Sequence, residues 1–177
     1  MSVSNKGALI YQAIFPDEAQ PTGNCMKSDL DTFMARDEFL IGHQKMDLIH
    51  EEFYELLTQL SRSTQADAAA ALMALIVHCK DHFGQEDRWM RETQYNGRDC
   101  HIKEHGEVLA SLEDVHSRLV NGDHRALPHL IEALTNWFPG HVQHLDSSLA
   151  QWLAKQQWNA HPLVLRRGAV PARPADH

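Results

Sequence analysis

The sequence predicts an all-α protein: an up-down-up-down four-helix bundle with an irregular N-terminal arm. Apolar residues recur at helical spacing in four runs of similar length, and the β-branched alternation that marks half-buried strands is nowhere sustained. Short turn-forming segments separate the runs, which makes successive helices antiparallel neighbours. The chain has 177 residues, 43% of them hydrophobic, enough to bury the core of one domain.

Residues 1–40 lack steady periodicity and contain Pro16, Pro21 and Gly23, so they are expected to form the arm, with a short helical turn near Asp29–Arg36. The bundle is expected over 41–158. Its first helix, Lys45–Leu60, repeats Met46, Ile49, Phe53, Leu56, Leu57 and Leu60. The second, Gln65–Arg91, is opened by the helix-favouring Ala68–Ala71 and carries Leu72, Leu75, Ile76, Cys79, Phe83 and Met90. Tyr95-Asn96-Gly97 ends it with a turn signal. Val108, Leu112, Val115 and Leu119 mark the third, Asp99–Val120, which stops at Asn121-Gly122-Asp123. The fourth, Leu127–Gln157, contains Pro139-Gly140, which should kink or interrupt it. Residues 159–177, with Pro162, Pro171 and Pro174, are expected to be a frayed tail.

The formal charge of −8 argues against a nucleic-acid partner, because such a surface repels phosphate. No apolar run approaches the roughly 18–20 residues needed to cross a bilayer. Ala8–Phe15 is apolar, but Gln12 interrupts it and only Lys6 precedes it, so no secretory leader is read there and a cytoplasmic location is expected. A monomer or weak oligomer is the expected state. Cys25, Cys79 and Cys100 form no C-x-x-C pair, which leaves neither a zinc knuckle nor a redox dithiol.

The excess is in histidine, at 13 residues against 16 Lys and Arg together. His50 lies on the Met46–Phe53–Leu57 seam; His82 and Glu86 continue the Leu75–Cys79 stripe one turn apart. His101 and His105 lead into Val108 and Leu112, and His141 follows Leu134 and Phe138. Asp146 is rotated about 140° from His141 in a regular helix, so it reaches the core from the flank. Buried polar groups are costly unless bonded, and a shared metal removes the difficulty by taking imidazoles and carboxylates as donors. This donor set suits iron, and also zinc, copper or nickel; seven donors are too many for one structural zinc. Two irons with about six positions each would be filled by five imidazoles, two bridging carboxylates and an oxygen bridge, leaving about one position for an exogenous ligand.

Four ordered blocks resemble the bacterial hemerythrin-like family over Ile41–Leu153: Met46-Asp47-Leu48-Ile49-His50; His82-Phe83-Gly84-Gln85-Glu86-Asp87 with Met90; His101-x-x-x-His105; and Trp137-Phe138-Pro139-Gly140-His141 with Asp146. The resemblance implies a non-haem diiron centre that binds dioxygen reversibly. His50, His82, His101, His105 and His141 would be terminal ligands and Glu86 and Asp146 bridges, with two iron ions joined by an oxide or hydroxide. Phe53, Trp137, Phe138 and Val142 would line the dioxygen pocket.

Plainer readings hold elsewhere. His78 sits one turn before His82 but is read as a supporting, capping or exposed residue; His43, His116, His124, His129, His144, His161 and His177 are read as surface. Asp87 is either a partner for a ligand histidine or a solvated acid. Glu113-x-x-His116 occurs once where ferritin-like centres need two copies, so chance explains it. The functional expectation is a dioxygen binder for storage, delivery or sensing, without turnover. The rivals are an oxidase, peroxidase or nitric oxide-handling enzyme on the same site, and an iron-binding protein.

Overall fold

α1 (Gln44–Arg62) begins where His43, in extended backbone, accepts the Met46 N–H on Nδ1 at 3.3 Å, so this histidine caps a helix. The computed structural model describes residues 40–160; the expected arm and tail, with Cys25, His161 and His177, lie outside the described residues. Ser63 ends α1 by turning its hydroxyl onto the Leu60 carbonyl at 2.7 Å. α2 (Ala68–Glu92) starts three residues later than the periodicity suggests. The Thr64 hydroxyl donates to Asp67 at 2.6 Å and the Ala68 N–H to the Thr64 carbonyl, which holds 65–67 in a turn.

The Tyr95-Asn96-Gly97 signal is a turn, and at Gly97 a Cβ would lie 2.7 Å from the Tyr95 ring, so a larger residue would have to push that ring aside. α3 (Arg98–Val120) ends as expected: Gly122 takes φ +82° and the Asp123 N–H returns to the Arg118 carbonyl at 2.9 Å. α4 (Leu127–His141) carries Pro128 in its first turn, where a missing N–H costs nothing. Pro139 does not end the helix. After His141 the backbone widens into a π-helical turn, Val142–Asp146, closed by the Ser147 N–H on the Val142 carbonyl, and α5 (Ser147–Ala160) continues.

α1 packs on α2, α2 on α3, α3 on α4 and α4 back on α1, which closes a four-rod bundle whose last rod is α4, the π turn and α5. Among the described residues no helix is long and apolar enough to cross a membrane. The buried apolar residues form two clusters. The larger contains Phe53, Leu57, Leu75, Cys79, Phe83, Leu112, Leu134 and Phe138; the smaller contains Met46, Met90, Leu149, Ala150 and Leu153. On α1, α2 and the last rod the buried histidines and carboxylates fall between members of the two clusters, and on α3 they sit immediately before Val108. The result is a polar layer sealed by apolar packing on either side.

Candidate metal centre

The packing brings all seven candidate ligands into that layer, and none is more than 2% exposed. They fall into two overlapping groups whose donor atoms lie within 4.8 Å of one another: Glu86, His101, His105, His141 and Asp146 in one, His50, His82, Glu86 and Asp146 in the other. The two carboxylates belong to both. Asp146 turns Oδ2 to His50 Nε2 at 3.1 Å, and Oδ1 to His101 and His141 Nε2 at 3.1 and 3.2 Å. Glu86 turns Oε1 to His82 at 3.2 Å, and Oε2 to His101 and His105 at 3.5 and 3.4 Å. Each carboxylate thus offers one oxygen to a three-imidazole half and one to a two-imidazole half.

Asp146 reaches this position through the π turn. A regular helix would swing it about 140° from His141. With i→i+5 bonding, five residues make about one turn, so both side chains face inward.

Two further carboxylates set the tautomers. Asp87 Oδ1 lies 3.0 Å from His105 Nδ1, and Glu104 Oε1 lies 3.1 Å from His141 Nδ1. An acceptor there keeps the proton on Nδ1 and points the Nε2 lone pair inward. Of the two readings for Asp87, the structure shows the first. Glu104 also accepts the Trp137 indole N–H at 2.8 Å. Sequence reasoning missed Glu104; its only signal is a position one residue before His105 and three after His101.

The electrostatics call for a cation. Burial pushes Glu86 up and Asp146 adds to it, yet bonds from His105 and His82 overcome both and hold Glu86 at about 2. Asp146 is likewise held well below the carboxylate range, against its burial, by His141, His101 and His50. His141 opposes its own burial and is raised to about 10 by Asp146, Glu104 and Glu86. His101 is lowered, first by burial and then by the charge of its imidazole neighbours. Meanwhile His141 Nε2 lies 3.3 Å from the Nε2 atoms of both His101 and His105. With metal bound and the protons kept on Nδ1, the three Nε2 lone pairs would converge where a cation can hold them; without it, His141, raised to about 10, carries the proton that links them. His50 Nε2, Glu86 Oε2 and both Asp146 oxygens are buried and lie 3.1–3.5 Å from imidazole or carboxylate groups of the layer without a well-aligned hydrogen bond. These orphaned donors, neutral imidazoles and ionised carboxylates fit a pair of divalent metal ions.

The expected pocket residues divide between the halves. Phe53 and Phe138 stack at 4.1 Å, and Phe138 sets its edge against His50 at 5.4 Å, on the two-imidazole side. Val142 is fully buried one residue after His141. Trp137 stands on the three-imidazole side, 4.5 Å from the His141 ring, where Phe83 stacks on His105 at 4.1 Å. His78 joins neither group of donors; Glu52 lies 3.4 Å from its Nδ1 and its ring touches His82. His144 is exposed, and His116, His124 and His129 are half-buried outside the layer.

A family model described as the hemerythrin HHE cation binding domain matches residues 42–153. A bacteriohemerythrin of Ralstonia nicotianae is 34% identical over 116 residues, covering 66% of this chain and 85% of the relative. A bacteriohemerythrin of Aquifex aeolicus is 30% identical over 119 residues, 64% of this chain and 91% of the relative. A myohemerythrin of Riftia pachyptila is 26% identical over 110 residues, 62% and 84%. No solved structure gives a significant match.

Proposed function

The chain belongs to the hemerythrin family, and from that membership we propose that it binds dioxygen reversibly at a non-haem centre of two iron ions. His101, His105 and His141 would hold one ion, His50 and His82 the other, with Glu86 and Asp146 bridging both. The observation that carries the reading is the inequality of the halves: both carboxylates are shared, yet three imidazoles face one half and two the other. The half with fewer protein donors is the place for an exogenous ligand. Ferrous iron held there would supply the electrons on which reversible dioxygen binding draws.

The chain's own residues make the site suitable for binding without turnover. The Phe53–Phe138 stack gives the two-imidazole half an apolar wall, and Val142 is buried beside His141. Asp87 and Glu104 fix ring orientation in the other half, and Trp137 holds Glu104 in place. Storage, delivery and sensing all need this property and no substrate channel.

The test is optical. Protein reduced without air should develop a visible charge-transfer band on adding dioxygen and lose it when the gas is removed, with about two irons per chain. Steady consumption of oxygen and reductant would replace this reading with an enzymatic one. Tight zinc with fewer than about two irons would end both.

A further inference from the structure

A groove of about 690 Å³ runs between α1 and α2, lined among others by Ile49, Glu52, Val77, His78, Asp81 and His82. His82, a buried candidate ligand of the two-imidazole half, forms part of the groove's wall, so the groove abuts that half of the centre. His78 stands beside it, built like the ligand histidines. A carboxylate, Glu52, lies 3.4 Å from Nδ1, the side chain is 7% exposed, and Nε2 is buried without a hydrogen-bond partner. The ring touches His82 at 5.8 Å and Phe53 at 6.3 Å between centroids. Yet His78 is not among the donors that converge on the centre.

We propose that His78 and Glu52 form a transient divalent-cation site through which metal enters the two-imidazole half of the centre. A neutral diatomic gas needs no polar stepping point. A divalent cation does, because it must exchange its waters one at a time, and a carboxylate followed by an imidazole replaces them. Glu52, 64% exposed, meets the ion at the surface; His78 takes it from there; His82 lies in ring contact beyond. The basic side chains that line the groove have partners of their own: Lys80 pairs with Glu113 at 2.7 Å, and Lys45 and Arg88 donate to Gln85 at 3.2 and 3.1 Å. The three-imidazole half is backed instead by the rings of Phe83 and Trp137.

The inference rests on the metal-centre reading, and the experiment separates the two. Metal-free full-length protein is mixed with cobalt(II) and uptake is followed by visible absorbance in the wild type, Glu52→Gln and His78→Phe. Both variants should load roughly tenfold more slowly, with unchanged final stoichiometry and spectrum. Equal rates in all three would overturn the proposal, as would a variant with fewer ions or an altered spectrum, since that would make His78 a ligand. Unchanged cobalt uptake with slower azide binding to the loaded His78→Phe variant would make the groove a small-molecule route instead. Wild-type protein that takes up no cobalt would end the metal-centre reading itself. Glu52→Gln changes one exposed side chain, so the test stands even if His78→Phe folds poorly.

Discussion

His141 and Asp146 are five residues apart on one rod, yet His141 Nε2 and Asp146 Oδ1 approach to 3.2 Å. The π turn between them makes this possible, as the Ser147 N–H on the Val142 carbonyl shows. A π turn holds about one residue more than an α turn, which yields a test by length. Deleting Gln143, which is exposed, should restore ordinary spacing with the aspartate four residues from His141, and metal content should survive. Inserting one alanine after Gln143 should swing Asp146 off the site and lose metal, with helicity by circular dichroism unchanged. Metal analysis of the two variants checks both halves of the statement.

Glu104 joins the Trp137 indole to His141 Nδ1. Removing such a partner costs about 10–100-fold in metal affinity. Glu104→Ala should show a loss of that order in competition with a chelator, and Glu104→Gln, which still accepts a hydrogen bond, a smaller one. Equal affinity in all three proteins would contradict the role.

Phe138 is fully buried, stacks on Phe53 and meets His50 edge-on. Phe138→Ala should lower stability by about 3–5 kcal/mol in denaturant titration. Because Phe138 is no ligand, the variant should keep its metal while the bound state with dioxygen decays faster as water enters. Loss of metal in the folded variant would contradict this assignment.

The pKa shifts set a pH profile for metal-free protein. Glu86, lowered to about 2, stabilises fully above the ordinary value of 4.5 and loses that contribution as pH falls toward 2. His101, lowered mainly by burial, weakens the fold as pH drops below 6.5. His141, raised to about 10, stabilises fully below 6.5 and loses this as pH rises toward 10. Thermal melting of metal-free protein should therefore peak near pH 6.5 and decline on both sides. Metal takes neutral imidazoles, so loading should remove the alkaline decline and leave the acid one. A metal-free Tm that climbs from pH 6.5 to 9 would refute the shift at His141.

The four helices were legible because each carries a buried stripe at helical period, and because the turns at Gly97 and Gly122 are made by residues whose chemistry dictates them. Six of the seven inward-facing donors were legible for the same reason: His50, His82, Glu86, His101, His105 and His141 continue those stripes. Where the local signal was ambiguous the sequence reading failed. Thr64 and Asp67 delayed α2 through a side-chain bond that periodicity does not register. His43, read as surface, is half-exposed and also caps α1 through its ring nitrogen, a role its spacing does not announce. Glu104 sits off the buried stripe of its own helix and acts only through residues on another.

By itself, then, the sequence determined which residues turn inward, since helical phase is a local property set by hydrophobic spacing. Tertiary structure decided how those residues divide. The π turn that aims Asp146, the sharing of Glu86 and Asp146 between three imidazoles and two, and the placement of Trp137 behind His141 and Phe138 beside His50 all depend on how separate rods are rotated and stacked. Distances between atoms on different helices follow from packing, and no spacing along one chain encodes them.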